Sequence, residues 1–152
     1  MINSEKFMKS ALKQAKIAYQ KGEVPIGAVI VKDGVIISRA YNRRNEKKLS
    51  TAHAEILAIE KACKKFNDWR LEGAEMYVTV EPCPMCAGAI ANARIEKVYF
   101  GAYEKKSGSV FSNFRILFLS GLNHTVKAEG GILEKECSSL MKNFFKNKRI
   151  VE

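Results

Sequence analysis

The stretch Met76-Tyr77-Val78-Thr79-Val80-Glu81-Pro82-Cys83-Pro84-Met85-Cys86-Ala87-Gly88 constrains this chain most. A β-rich run gives way, within three residues, to a Cys-x-x-Cys pair fenced by two prolines. Proline is favoured at the first position of a helix, where its missing N–H is not needed. Pro84 at that position makes Cys83 the N-cap and Cys86 the third helical residue. Both sulfurs then lie at a helix N-terminus, whose partial positive charge and free N–H groups stabilise thiolates. Such a pair suits a disulfide, a redox couple, a structural zinc knuckle or a catalytic metal site, and the remaining residues must choose.

A metal needs further ligands, and the chain has only two histidines, His53 and His124. His53 lies in Thr51-Ala52-His53-Ala54-Glu55, where Ser50 or Thr51 is expected to cap a helix running to Phe66. Two helices that follow parallel strands point their N-termini into one crevice at the carboxyl edge of a sheet. His53, Cys83 and Cys86 can therefore meet there. Three ligands leave a tetrahedral zinc one position short, and catalytic sites keep that position open for water. His124, which precedes an expected strand, or another cysteine could close the site instead. Glu55 favours the catalytic alternative, because a carboxylate two residues after His53 can serve as a proton acceptor. Positions i and i+2 of a helix point roughly 200° apart, so both reach one metal only in a first turn. A thioredoxin-type couple needs no His-x-Glu, and a structural knuckle usually has two paired ligand sets where this chain has one.

The rest of the chain supplies a frame. Ser4 to Lys21 carries Phe7, Ala11, Ala15 and Ala18 at helical spacing, with Gly22 at the C-cap position. Ile26–Val31 and Val35–Ala40 flank Lys32-Asp33-Gly34, a strong hairpin signal. Asn42–Ser50 reads as a polar loop. Further strands are expected over 75–80, 97–102 and 124–129, with helices after Pro84, over 112–120 and over 132–149. The order αββαβαβαβα predicts an α/β fold: a three-layer α-β-α sandwich with a five-stranded mixed sheet and helices on both faces. A length of 152 residues with no repeat or linker is expected to form a single domain over 1–152. Cys63 and Cys137 lie at helical spacing from apolar residues and read as plain core.

No apolar run approaches the roughly 18 residues that span a bilayer, and the N-terminus has no apolar signal core. A soluble cytoplasmic protein is expected. Lys and Arg outnumber Asp and Glu 26 to 16, for a net charge of +10. Such a surface attracts polyanions, nucleic acid above all, although a lysine-rich solvated surface gives the same count.

His53-Ala54-Glu55 with Pro82-Cys83-Pro84-Met85-Cys86 resembles the H-x-E…P-C-x-x-C signature of the zinc-dependent, cytidine deaminase-like nucleobase deaminases. Within them the chain resembles the bacterial tRNA-specific adenosine deaminases. Matching segments include 22–31, 51–55, 77–90, 93–102, 122–124 and 144–149. The resemblance implies that His53, Cys83 and Cys86 hold one Zn2+ per subunit. It implies that Glu55 passes protons while water attacks the amino-bearing carbon of adenine, giving inosine at the wobble position of an anticodon. It also implies that Asn42 bonds the flipped base and that Pro25, Ile26 and Ala54 line its pocket. Lys106, Asn123 and His124 are implied as loop contacts to RNA, and Phe144 or Phe145, Lys148 and Arg149 as the C-terminal RNA surface. The partners implied are the tRNA anticodon stem-loop and a second copy of the chain in a homodimer. Glu104 stands where the family more often has Asp, and Val110-Phe111 replace a small-residue stretch. The alternative is a free-base or nucleoside deaminase, guanine above all, since guanine deaminases share a similar Cys-x-x-Cys core.

Overall fold

The computed structural model describes residues 3–122 and 124–151, with side chains up to Lys148. Its elements run α1 (Asn3–Gln20), β1 (Gly27–Lys32), β2 (Val35–Tyr41), α2 (Arg44–Lys47), α3 (Ala54–Phe66), β3 (Ala74–Val80), α4 (Pro84–Asn92), β4 (Lys97–Ala102), β5 (Lys127–Glu129) and α5 (Glu134–Val151). The five strands form one sheet in the order β2-β1-β3-β4-β5. β1 pairs antiparallel with both β2 and β3, whereas β3, β4 and β5 are mutually parallel. Four strands therefore run one way and β1 alone runs the other, so one edge of the sheet collects most of the strand exits.

The alternation along the strands divides the core into two layers. Ala28 and Ile30 of β1, Met76 and Val78 of β3, and Val98 and Phe100 of β4 face α3 and α4. Val29, Val31 and Tyr77 face the other way, onto Phe7, Met8, Ala11 and Leu12 of α1 and Cys137 of α5. The expected three-layer α/β sandwich with a mixed sheet is the fold observed. The β1–β2 hairpin turns through Asp33 at φ 53° and Gly34 at φ 76°, the backbone that an Asp-Gly turn favours.

Local details depart from the sequence reading for tertiary reasons. The first residue of α3 is Ala54 and its N-cap is His53; Ser50 and Thr51 lie in a preceding turn and cap nothing. The polar loop after β2 contains a short helix, α2, with no buried residue. Its second and third amides, of Asn45 and Glu46, donate to the Glu23 carboxylate at 3.0 and 2.7 Å, a cap supplied from across the fold. The segment expected as a helix over 112–120 keeps only a 3-10 turn, Ile116–Phe118. The Ile116 amide, which would donate to the Ser112 carbonyl in such a helix, donates instead to the Ser109 carbonyl at 3.1 Å, so the ladder does not start. Cys137 is buried, as expected of a core residue, whereas Cys63 is half-buried with its thiol donating toward the Trp69 carbonyl. Among the described residues no helix is long and apolar enough to cross a membrane.

Candidate active site

Two helix N-termini open at the strand-exit edge. α3 follows β2 and α4 follows β3, and β2 and β3 run in the same direction. His53 is the N-cap of α3 and Cys83 the N-cap of α4, each in extended backbone conformation and neither making a side-chain cap. Pro84 occupies the first turn of α4, as its missing N–H allows. The side chains that would have closed these helix ends are thus free to turn toward one another.

They do so closely. His53 Nδ1 lies 3.7 Å from Cys83 Sγ and 3.5 Å from Cys86 Sγ. All three donor atoms fall within 4.8 Å of one another. A nitrogen and a sulfur bound to one tetrahedral zinc stand about 3.5 Å apart, given the usual bond lengths. The donor set, its separation and its partial burial therefore fit zinc. His124 is not part of the group.

The charges of the group are coupled. The hydrogen bond from the Cys86 thiol lowers the Cys83 pKa to about 4, helped by His53 and opposed by burial. The same hydrogen bond, with burial and the neighbouring negative charges, pushes Cys86 up. His53 is raised, chiefly by its bond with Cys83 and also by the Glu55 charge, with burial working against both.

Glu55 is in the first turn of α3 and is buried, with 3% of its surface exposed. Burial pushes its carboxyl up to about 7. Its Oε1 is the one buried side-chain nitrogen or oxygen among the described residues with no hydrogen-bond partner. A buried polar atom left unpaired costs about 1–3 kcal/mol unless something occupies it in function. The Glu55 carboxyl feels the charges of Cys83 and His53 and bonds with Cys86, so it neighbours that group.

The other residues singled out in the sequence divide between the two edges of the sheet. Pro25 and Ile26 lead into β1, and Asn42 leaves β2, all at the edge where Cys83 lies. Pro25 and Ala54 are buried, and Ile26 packs partly into both core layers. Asn42 is buried with its amide nitrogen donating to the Val24 carbonyl at 3.1 Å and its oxygen accepting from Arg44 N at 3.2 Å. Lys106 is exposed on the loop beyond β4, at the same edge. The α5 residues separate cleanly: Phe144 is buried edge-on against Tyr19, whereas Phe145 is 40% exposed and Lys148 is exposed.

His124 lies elsewhere in the fold. It precedes β5, which is parallel to β4, so it sits at the opposite edge, and its Nε2 donates to the Ile95 carbonyl at 2.7 Å. Asn123 lies outside the described residues, as does the side chain of Arg149.

Two functional-looking residues escaped the sequence reading. Glu23 and Glu81 are buried carboxylates, 2% and 3% exposed, that fasten the loops on either side of the site. Burial raises the Glu81 carboxyl, but bonds from Ser112 and from the Phe111, Ser112 and Glu104 amides outweigh it and hold the pKa low. The signal available was a lone carboxylate one or two residues before a proline, in Glu23-Val24-Pro25-Ile26 and Val80-Glu81-Pro82.

Comparison with known proteins identifies the family. A profile of the MafB19-like deaminase family matches residues 2–149. The tRNA-specific adenosine deaminase of Bacillus subtilis (strain 168) is 50% identical over 149 residues, which is 98% of this chain and 92% of that one. The chain belongs to the tRNA-specific adenosine deaminase family. The tRNA-specific adenosine deaminase of Aquifex aeolicus (strain VF5) is 54% identical, with 97% of each chain covered. A structure solved in a study of A-to-I editing by tRNA:A34 deaminases at the wobble position superposes with a TM-score of 0.87. It is 44% identical and covers 89% of this chain and 98% of its own. The guanine deaminase of Nitrosomonas europaea, at 21% identity and a TM-score of 0.77 over 92% of this chain and 83% of its own, shares the fold alone.

Proposed function

We propose that this member of the tRNA-specific adenosine deaminase family converts adenosine to inosine at the wobble position of a tRNA anticodon. Water is consumed and ammonia released. The observation that carries this reading is the convergence of His53, Cys83 and Cys86 beside the buried, unpaired Oε1 of Glu55. We read residues 1–152 as one deaminase domain, working in the cytoplasm as a homodimer with one zinc per subunit.

His53 Nδ1 and the Cys83 and Cys86 sulfurs would hold the ion. Zinc bound there supplies a Lewis acid, which makes water a usable nucleophile near neutral pH. Cys83 and Cys86, deprotonated on binding, would offset the ion's charge, and the N-termini of α3 and α4 would favour negative charge developing in the site. Glu55 takes the proton of the attacking water at Oε1 and returns protons to the ring nitrogen and the leaving amine. Burial keeps that atom away from bulk water, and the helix turn fixes its place. Pro25, Ile26 and Ala54 form an apolar wall for the base. Asn42, anchored through Val24 and Arg44, presents its remaining amide capacity to the flipped base.

The RNA surface is assigned to Lys106, Phe145, Lys148, Asn123 and Arg149, with Phe145 offering a stacking face. His124, implied together with Asn123, extends that surface toward the other end of the sheet. Support for a partner subunit comes from Phe114, Phe118 and Leu119, three exposed apolar side chains close together in sequence beside α4. Support for RNA comes from the net charge of +10.

The test compares inosine formation on an anticodon stem-loop with adenosine at the wobble position, on free adenosine, and on guanine. Turnover of the stem-loop with little on the free compounds is the expected result. Efficient turnover of guanine or free adenosine with none on the stem-loop overturns the reading.

A further inference from the structure

Glu81 stands two residues before Cys83 and does not touch the metal-binding group, yet it gathers more hydrogen bonds than any side chain of that group makes. Its Oε2 accepts from three consecutive amides, Val110, Phe111 and Ser112, at 3.1, 2.8 and 2.9 Å. Its Oε1 accepts from the Glu104 amide at 3.1 Å and from the Ser112 hydroxyl. All five partners are donors, so the acceptor must be one with no hydrogen of its own to point at them. A glutamate is fitted to this place and a glutamine is not.

The loop is shaped to receive that carboxylate. A Cβ on Gly108 would lie 2.5 Å from Glu81 Oε1 and 2.3 Å from the Glu104 carbonyl, so only glycine lets the chain pass. A second tie runs from Ser109 N to the Pro82 carbonyl at 2.8 Å. Both ties end on the segment 81–82, which leads directly into Cys83. The loop surface carries Lys106 and Phe111, both exposed.

We propose that Glu81 is a positioning residue for the reaction: it fixes the 104–112 loop, as an RNA-binding wall, to the turn that carries Cys83 and Cys86. The loop's register relative to the catalytic turn then follows from one side chain, and RNA held by the loop presents its base at a fixed depth. The RNA half of this inference rests on the tRNA reading above; the fastening itself does not.

Glu81→Gln and Ser112→Ala in the full-length, zinc-loaded protein test it, with amide exchange and stem-loop kinetics both measured. In Glu81→Gln the amides of 104 and 110–112 exchange faster, and the stem-loop KM rises about tenfold or more with kcat within about twofold. Zinc stays at one per chain. Ser112→Ala, which removes one of the five bonds, moves exchange and KM the same way by less, and serves if Glu81→Gln does not fold. Unchanged exchange in these amides overturns the fastening. Faster exchange with an unchanged KM overturns the role in RNA positioning, as does a loss confined to kcat and accompanied by loss of zinc. A wild-type protein that turns over no stem-loop sinks the tRNA reading and the RNA half with it, while the exchange data still decide the fastening.

Discussion

At the residue scale the site is built from side chains diverted from their usual local duty. His53 and Cys83 occupy N-cap positions but bond no amide of their own helices. Their heads are thereby left for one another and for a metal. Glu55 differs, being held by burial and left with a free oxygen. Glu55→Gln keeps the shape and removes the proton acceptor. We expect kcat on the stem-loop to fall about 10³-fold while zinc content and stem-loop affinity stay within twofold, measured by single-turnover kinetics and metal analysis. Cys86→Ala should fail in the opposite order. It removes a buried ligand, so zinc falls well below one per chain by metal analysis, and activity is lost with it.

At the element scale, adjacent residues of α5 have opposite fates. Phe144 packs against Tyr19 and Phe145 projects outward, because successive helical positions are about 100° apart. Phe144→Ala should destabilise the fold by about 3 kcal/mol, read from urea denaturation. Phe145→Ala should leave stability within about 0.5 kcal/mol but raise the stem-loop KM about tenfold, as expected for loss of a stacking platform. The same periodicity in the sequence marks one of the pair as inward without saying which. The choice follows from how α5 crosses the end of α1.

At the scale of the whole molecule, charge and metal act on the ensemble. Raising salt from about 50 to 200 mM should raise the stem-loop KM about tenfold or more with little change in kcat, as expected when phosphate contacts dominate affinity. A flat response would leave the net charge of +10 as a solvated surface only. Stripping zinc should lower Tm by about 5 °C or more in a thermal scan, restored by adding zinc back, because a ligand that binds only the folded chain stabilises it.

Much of this protein follows from near neighbours in the chain. Pro84 sets the start of α4, Asp33-Gly34 sets the hairpin, strand alternation sets the two core layers, and His53, Glu55, Cys83 and Cys86 announce a metal site before any fold is known. Each depends on backbone preferences or spacing within a few residues, which the sequence states directly. What only the tertiary structure decided depends on groups far apart in the chain. Glu23 caps α2 across 22 residues, and Glu81 captures the amides of 110–112 across about thirty. His124 falls at the far edge because β5 runs parallel to β4. Local pattern specifies which face a residue takes and where an element begins. The direction of each strand in the sheet determines which ends meet, and that direction is fixed by pairings between segments the sequence does not place side by side.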